Sequence, residues 1–245
     1  TEISDIWGIG RRHAKLLSKY DVRTAYDFTQ LPMAWVRQKM TVVGERMWKE
    51  LNGISCIDME FAPPAKKTIC TSRAFGQTVT DLEGLKESVS TYAAICAEKL
   101  RKQKSCALSL MVFIHTNNFR EDLPQYFQNS VVKFPVATNS TMEIVKYAMI
   151  ALKHIYKKGY QFKKAGVIIT EIVPDAAIQT NLFDKIDRDK HARLMAVVDQ
   201  LNDGFKKNNL RLAVQEGDKK WRLKQEKLSP CYTTRISDVL HFKAK

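Results

Sequence analysis

Between residues 68 and 174 the apolar residues switch repeatedly between a period of two and a helical period, and the order of those switches restricts the chain to few folds. Thr68 to Val79 reads as a strand. Asp81 is placed to cap a helix whose stripe is Leu85, Val89, Tyr92, Cys96 and Leu100. Cys106, Leu108, Leu110, Val112 and Ile114 alternate as in a second strand. A polar loop from Asn117 to Gln128 precedes a shorter strand, Ser130 to Val136. Ser140 or Thr141 then caps a helix carrying Ile144, Ala148, Ala151 and Ile155, which Gly159 ends. Ala165 to Val173 is the last strand. The order βαββαβ predicts an α+β domain: a four-stranded sheet with both helices on one face, the other face free, and the first and last strands near each other. That topology hosts many functions and does not select one.

The flanks read differently. Residues 1–56 are short helices joined by tight turns, with Pro32 at a helix start and Gly8, Gly10, Gly44 and Gly53 as punctuation. Residues 57–67 form a linker that Pro63 and Pro64 keep extended. After Pro174 the expectation for 175–245 is an irregular, polar segment with one helix near His191 to Asn202.

The formal net charge of +14 favours a polyanionic partner, nucleic acid before membrane. With 44% hydrophobic and 27% charged residues the composition is that of a globular domain. No apolar run approaches the ~18 residues of a membrane-spanning helix. Thr1 to Gly10 shows no secretory pattern, so a cytoplasmic location and no membrane partner are expected. Cys56, Cys70, Cys96, Cys106 and Cys231 are scattered, without metal spacing, and are expected to be reduced and mostly buried. A start at Thr, inside a motif, suggests a piece of a longer protein.

The most specific local pattern is Ile6-Trp7-Gly8-Ile9-Gly10-Arg11-Arg12-His13-Ala14-Lys15-Leu16, the form of a helix-hairpin-helix. Two glycines permit a turn tight enough to aim backbone N–H groups at a phosphate, and Arg11 and Arg12 can add charge-assisted bonds. The competing reading is an ordinary glycine between two helices. A weaker hairpin is suggested at Val42-Val43-Gly44-Glu45-Arg46. Lys66, Lys67, Ser72, Arg73, Lys104, Lys163 and Lys164 collect near strand ends and could track a nucleic-acid backbone, or form only a solvated surface. Gln179-Thr180-Asn181-Leu182-Phe183 offers an amide and an apolar pair to a partner pocket; alternatively Leu182 and Phe183 fold back on their own domain.

Phosphate-loop, HExxH and GxSxG patterns are missing from the sequence, and the strand-like segments carry one carboxylate, Glu171, so no catalytic residues and no metal site are expected here. His13, His115, His154, His191 and His241 are isolated.

The stretches IWGIGRRHAKLL, ERMWKELNG, EFAPPAKKTICTSRAFG, YAAICAEKLR, KKAGVIITEI, QTNLFD and LSPCYTTRISDVL resemble the Y-family of translesion DNA polymerases, in its UmuC branch; the last is the most specific. The resemblance implies that residues 1–56 are the thumb, 68–174 the little finger, and 175–245 a clamp-binding motif with a UmuC-type tail. It implies that Gln179, Leu182 and Phe183 dock on the bacterial sliding clamp, although Thr180 stands where the family often has Leu. It further implies damaged primer-template DNA as ligand, SOS lesion bypass as context, and UmuD' and RecA as partners of the tail. The Mg²⁺-binding polymerase centre would lie in a palm and fingers upstream. A stand-alone hairpin adaptor that recruits repair proteins to the clamp is the alternative. A glycosylase using the hairpin would need an all-helical setting, which the βαββαβ segment opposes.

Overall fold

A computed structural model describes residues 1–179, 181, 182, 184, 186–204, 209–217, 221–223 and 227–241. The chain divides into two compact units, Thr1–Pro64 and Ala65–Lys245.

In the first unit a 3-10 turn, Ile3–Asp5, precedes three helices: α1 (Arg11–Ser18), α2 (Ala25–Thr29) and α3 (Met33–Leu51). Their apolar positions meet in a small core of Ile3, Ile9, Leu17, Val22, Phe28, Val36 and Met40. Helix α2 starts at a reciprocal cap. The Thr24 hydroxyl accepts from the Asp27 N–H at 3.1 Å, and the Asp27 carboxylate accepts from the Thr24 N–H at 2.9 Å. Helix α3 is broken at Thr41, whose φ of 63° is left-handed, so it is two helices meeting at a kink.

The second unit holds β1 (Ile69–Val79), α4 (Leu82–Lys102), β2 (Ser105–Thr116), β3 (Phe127–Thr138), α5 (Thr141–Ile155) and β4 (Phe162–Pro174), in the predicted order. The strand order is β1-β4-β2-β3, all antiparallel. Each helical crossover leaves a gap one strand wide, and the gaps interleave: β4 fills the space between β1 and β2. The first and last strands are therefore neighbours, as expected. Helices α4 and α5 pack on each other and on one face of the sheet. Between them lies the core, with Phe75, Tyr92, Leu110, Ile114, Ile144, Leu152, Phe162 and Ile169 fully buried. Asp81 caps α4, its carboxylate accepting from the Gly84 N–H at 2.7 Å.

Three expectations change. The third strand runs over Phe127–Thr138, longer than Ser130 to Val136, because a register shift opposite Ser109 lets it absorb extra residues. Helix α5 ends at Ile155, with Tyr156 already extended; Gly159 (φ 99°) turns the chain three residues later and is no helix cap. The segment after Pro174 is not merely an irregular polar tail. Helix α6 (Arg188–Gly204) binds the helical layer through Arg101, which pairs with both Asp199 oxygens at 2.6 and 2.7 Å and with the Asn139 carbonyl at 2.7 Å. Farther on, Trp221 is buried edge-on to Tyr92, centroids 5.5 Å apart. A long arginine and a lone tryptophan in polar surroundings carry no periodic signal, so this docking was invisible to pattern reading.

Candidate nucleic-acid interface

The Gly8–Gly10 turn is built by packing from behind. Ile9 is buried in the small core, and its N–H donates to the Ile6 carbonyl at 3.0 Å. Gly8 has φ 99°, and a Cβ there would stand 2.6 Å from Met47 Cε. The positive φ favours glycine, and a larger residue would also have to push aside the end of the Met47 side chain. Gly10 is the N-cap of α1 and supplies no side-chain acceptor to the helix start. The first-turn N–H groups thus retain their capacity for an outside acceptor, with the positive end of the helix dipole behind them. Arg11 and Arg12 are exposed, and Trp7 is 96% exposed beside them in sequence. The arrangement can hold a phosphate and offers no base-reading group.

The second suggested hairpin has a different form. The chain does turn there, at Thr41, but Gly44 is buried, and a Cβ on it would come 2.4 Å from Met40 Cβ. Its glycine serves close helix packing. Next to it Glu45 is buried between Arg37 (3.1 Å) and Lys49 (2.7 Å), and the Lys49 bond, ahead of the Arg37 charge, holds its carboxyl below the usual range.

The predicted backbone-tracking residues of the second unit, the basic ones and Ser72, fall into two groups. Lys66, Lys67 and Lys104 lie at the end where β1 and β2 begin; the Lys66 backbone is paired on both sides by the Gln103 amide, at 2.9 and 3.0 Å. Ser72, Arg73, Lys163 and Lys164 lie toward the other end, where Ser72 pairs with Gly166 and Ala74 with Lys164. Lys104, beside the start of β2 opposite Pro174, lies ten β4 residues from Lys164, roughly 33 Å along the strand, whereas Lys67 precedes Ser72 by about 17 Å, so the residues form a spread row and not one tight cluster. Alternation separates them further. Ser72 and Lys164 face the helix-free side, while Arg73 shares the side of buried Thr71 and Phe75 and lines a cavity against α4. The Lys163 ammonium donates to the Phe75 carbonyl at 2.6 Å and so serves the β1 bulge between Ala74 and Val79.

The helix-free face also carries a row of rings, so His115 is not isolated there. Phe113 stacks parallel to His115 (6.3 Å), and His115 lies 6.1 Å from the exposed Phe127. Phe113 lies over Gly166, where a Cβ would come within 2.5 Å of its ring. The alternation in β2 that marked Val112 and Ile114 as core also places Phe113 and His115 opposite them, and that signal was available.

Gln179 and Leu182 are exposed, Leu182 to 93%, so Leu182 does not fold back on the domain. Phe183 and Thr180 lie outside the described residues. Asp184 is tied to Arg188 at the start of α6 by a 2.5 Å bond, which fixes the chain just beyond Leu182. All five cysteines are free. Only Cys96 and Cys106 are buried, and burial pushes each thiol up to about 11. The expectation of mostly buried thiols fails because Cys70 and Cys231 are exposed. Among the described residues no three His, Cys, Asp or Glu side chains converge as metal ligands. Glu171 accepts from Ser109 at 3.2 Å and lies 3.9 Å from Lys133. These residues do not fit a Mg²⁺ centre. No helix among the described residues is long and apolar enough to cross a membrane.

Residues 66–182 match the impB/mucB/samB family C-terminal domain, and residues 192–241 match a domain of unknown function (DUF4113). The chain is 37% identical over 242 residues to Protein UmuC of Salmonella typhimurium (strain LT2), covering 98% of the chain and 57% of that protein. It is 36% identical over 238 residues to Protein ImpB of Salmonella typhimurium, covering 97% and 56%. A more distant similarity, 19% over 206 residues, is to DNA polymerase IV of Clostridium acetobutylicum, covering 84% of the chain and 50% of that protein. The chain thus spans about half the length of these relatives. On these grounds the chain belongs to the impB/mucB/samB family, in its UmuC branch, and carries that family's C-terminal domain.

Proposed function

We propose that this chain is the DNA-holding region of a translesion DNA polymerase acting in DNA-damage repair. The observation that carries the reading is the similarity along 97–98% of the chain to ImpB and UmuC, continued at lower identity to a protein named DNA polymerase IV. The geometry agrees with it. The uncapped start of α1, flanked by exposed Arg11 and Arg12, and the net charge of +14 suit sequence-independent backbone binding. In this reading residues 1–56 act as a thumb and 68–174 as a little finger, with Ser72 and Lys164 of its helix-free face near the DNA. In this reading metal-dependent chemistry belongs to the palm and fingers of the parent polymerase.

Anisotropy with labelled primer-template tests the proposal. Affinity should be alike for unrelated sequences and fall with salt, each neutralised phosphate contributing about −0.9 to the log–log slope. Arg11→Ala with Arg12→Ala should flatten that slope by roughly 1–2 and weaken all sequences equally. An unchanged slope would remove the hairpin from the interface.

The same reading gives Gln179, Leu182 and Phe183 to a sliding clamp. Support comes from Leu182, presented almost fully to solvent between the end of β4 and the Asp184–Arg188 anchor. A short tethered peptide binds weakly alone and effectively when DNA holds the rest of the chain nearby.

A further inference from the structure

The described tail piece 221–223 builds a cavity with β1 and α4, and the piece 209–217 packs on α4 beside it. The Gly76 N–H donates to the Trp221 carbonyl at 3.0 Å, at the bulge of the edge strand. A Cβ on residue 76 would stand 2.4 Å from the Arg222 carbonyl oxygen, so the tail can cross there only over glycine. Upstream, the Ser90 hydroxyl donates to the Val214 carbonyl at 3.2 Å, and a Cβ on Gly217 would come 2.6 Å from Glu87 Oε2. These contacts hold Trp221 against Tyr92 and bring Arg222 to within 5.5 Å of the Trp221 ring centroid.

The cavity they close has a volume of about 320 Å³. Arg73 and Arg222 both line it, no carboxylate does, and neither arginine forms an ion pair among the described residues. Tyr92 and Trp221 line it as well. The Tyr92 hydroxyl and the Trp221 indole N–H are buried without a hydrogen-bond partner in side chains 1% and 4% exposed. Buried donors without partners are uncommon and ask for a ligand. Burial pushes the Tyr92 hydroxyl up to about 12 while Arg73 and Arg222 pull the other way, so it is a protonated donor beside two cations. Two guanidinium groups and two neutral donors, with no competing acid, match an oxyanion in charge and in hydrogen bonding.

We propose that this cavity is a phosphate site, held by Arg73 and Arg222 with the Tyr92 hydroxyl and the Trp221 indole N–H as buried donors. It assigns a binding role to part of a domain of unknown function. The phosphate comes either from a DNA backbone or from a free phosphate monoester. The first source rests on the DNA-holding reading; the site itself does not.

The Trp221 indole N–H resonance of the ¹⁵N-labelled chain reads the site directly, and Trp221→Phe identifies it among four tryptophans. Inorganic phosphate should move this resonance saturably, while chloride at equal ionic strength should not. Arg222→Gln and Tyr92→Phe should each raise the half-saturating concentration about ten-fold or more, with the indole signal still dispersed. Adding short duplex DNA separates the sources. A shift at the same resonance assigns the site to backbone phosphate, and a shift with phosphate alone assigns it to a free ligand. No response to phosphate, or a response that survives Arg222→Gln unchanged, overturns the proposal. A chain that binds no DNA would defeat the DNA-holding reading, and the phosphate titration would still decide the site.

Discussion

Gly8 shows how much one position can decide. Its φ of 99° disfavours any side chain, and a Cβ there would also displace the end of Met47. Gly8→Ala should destabilise the N-terminal unit by about 1–2 kcal/mol from backbone strain alone, with more from displacing Met47, and should weaken DNA binding as the turn opens. Thermal melts followed at Tyr20 and Trp35, which meet edge-on at 4.9 Å, would record it. Leu182 is the opposite case. At 93% exposure it contributes nothing to the core, so Leu182→Ala should leave the melting temperature unchanged while abolishing capture by an immobilised sliding clamp. A fall of several degrees without loss of capture would return Leu182 to the fold.

At the scale of elements, caps and docked helices carry the testable energetics. Hydrogen bonds from Thr24, first among the causes, hold the Asp27 carboxyl below its ordinary value. A depressed folded-state value means stability that is present above the unfolded value of about 3.9 and is lost as pH falls through the folded one. Acid titration of the N-terminal unit should show that loss, and Asp27→Asn should remove part of it. Helix α6 is joined to the helical layer by the two-pronged Arg101–Asp199 pair, both side chains largely covered. Arg101→Ala should cost about 1.5–3 kcal/mol, read by urea denaturation, because the Asn139 carbonyl also loses its donor. Burial of Trp221 in the sheet domain's core predicts a larger loss, about 3–5 kcal/mol, for Trp221→Ala. If removing that tryptophan left the sheet domain's stability intact, the tail would be an appendage after all.

For the whole molecule, a surplus of fourteen positive charges and an exposed docking segment act together in the proposed function. Arg11→Ala with Arg12→Ala should leave clamp affinity unchanged without DNA. On clamp-loaded DNA the same variant should lose retention by roughly 10²-fold, because tethering multiplies two weak contacts. Surface capture with and without DNA measures both; equal losses in the two assays would mean that the arginines touch the clamp itself.

The alternation of apolar residues determined most of the sheet domain. Leu110, Val112 and Ile114 could sit only on one face of a strand, and Val89, Tyr92 and Cys96 only on one face of a helix, so the order βαββαβ and the identity of the core followed from local periods. The tight turn at Gly8 was legible for a similar reason: two glycines at that spacing make sense only where the backbone must turn tightly, and Gly8 does take a positive φ. Tertiary structure alone decided the rest. Strand register put roughly 33 Å between Lys104 and Lys164, basic residues that the sequence had grouped by likeness. Long-range contacts also turned a polar tail into a packed one, through Gly76 meeting Trp221 and Arg101 meeting Asp199. The pairs lie about a hundred or more residues apart, and no local period encodes a partner at that distance. Such a contact is selected by shape and by hydrogen-bond satisfaction in the folded interior, where an unfilled slot or an unpaired charge costs more than the chain entropy of closing the loop.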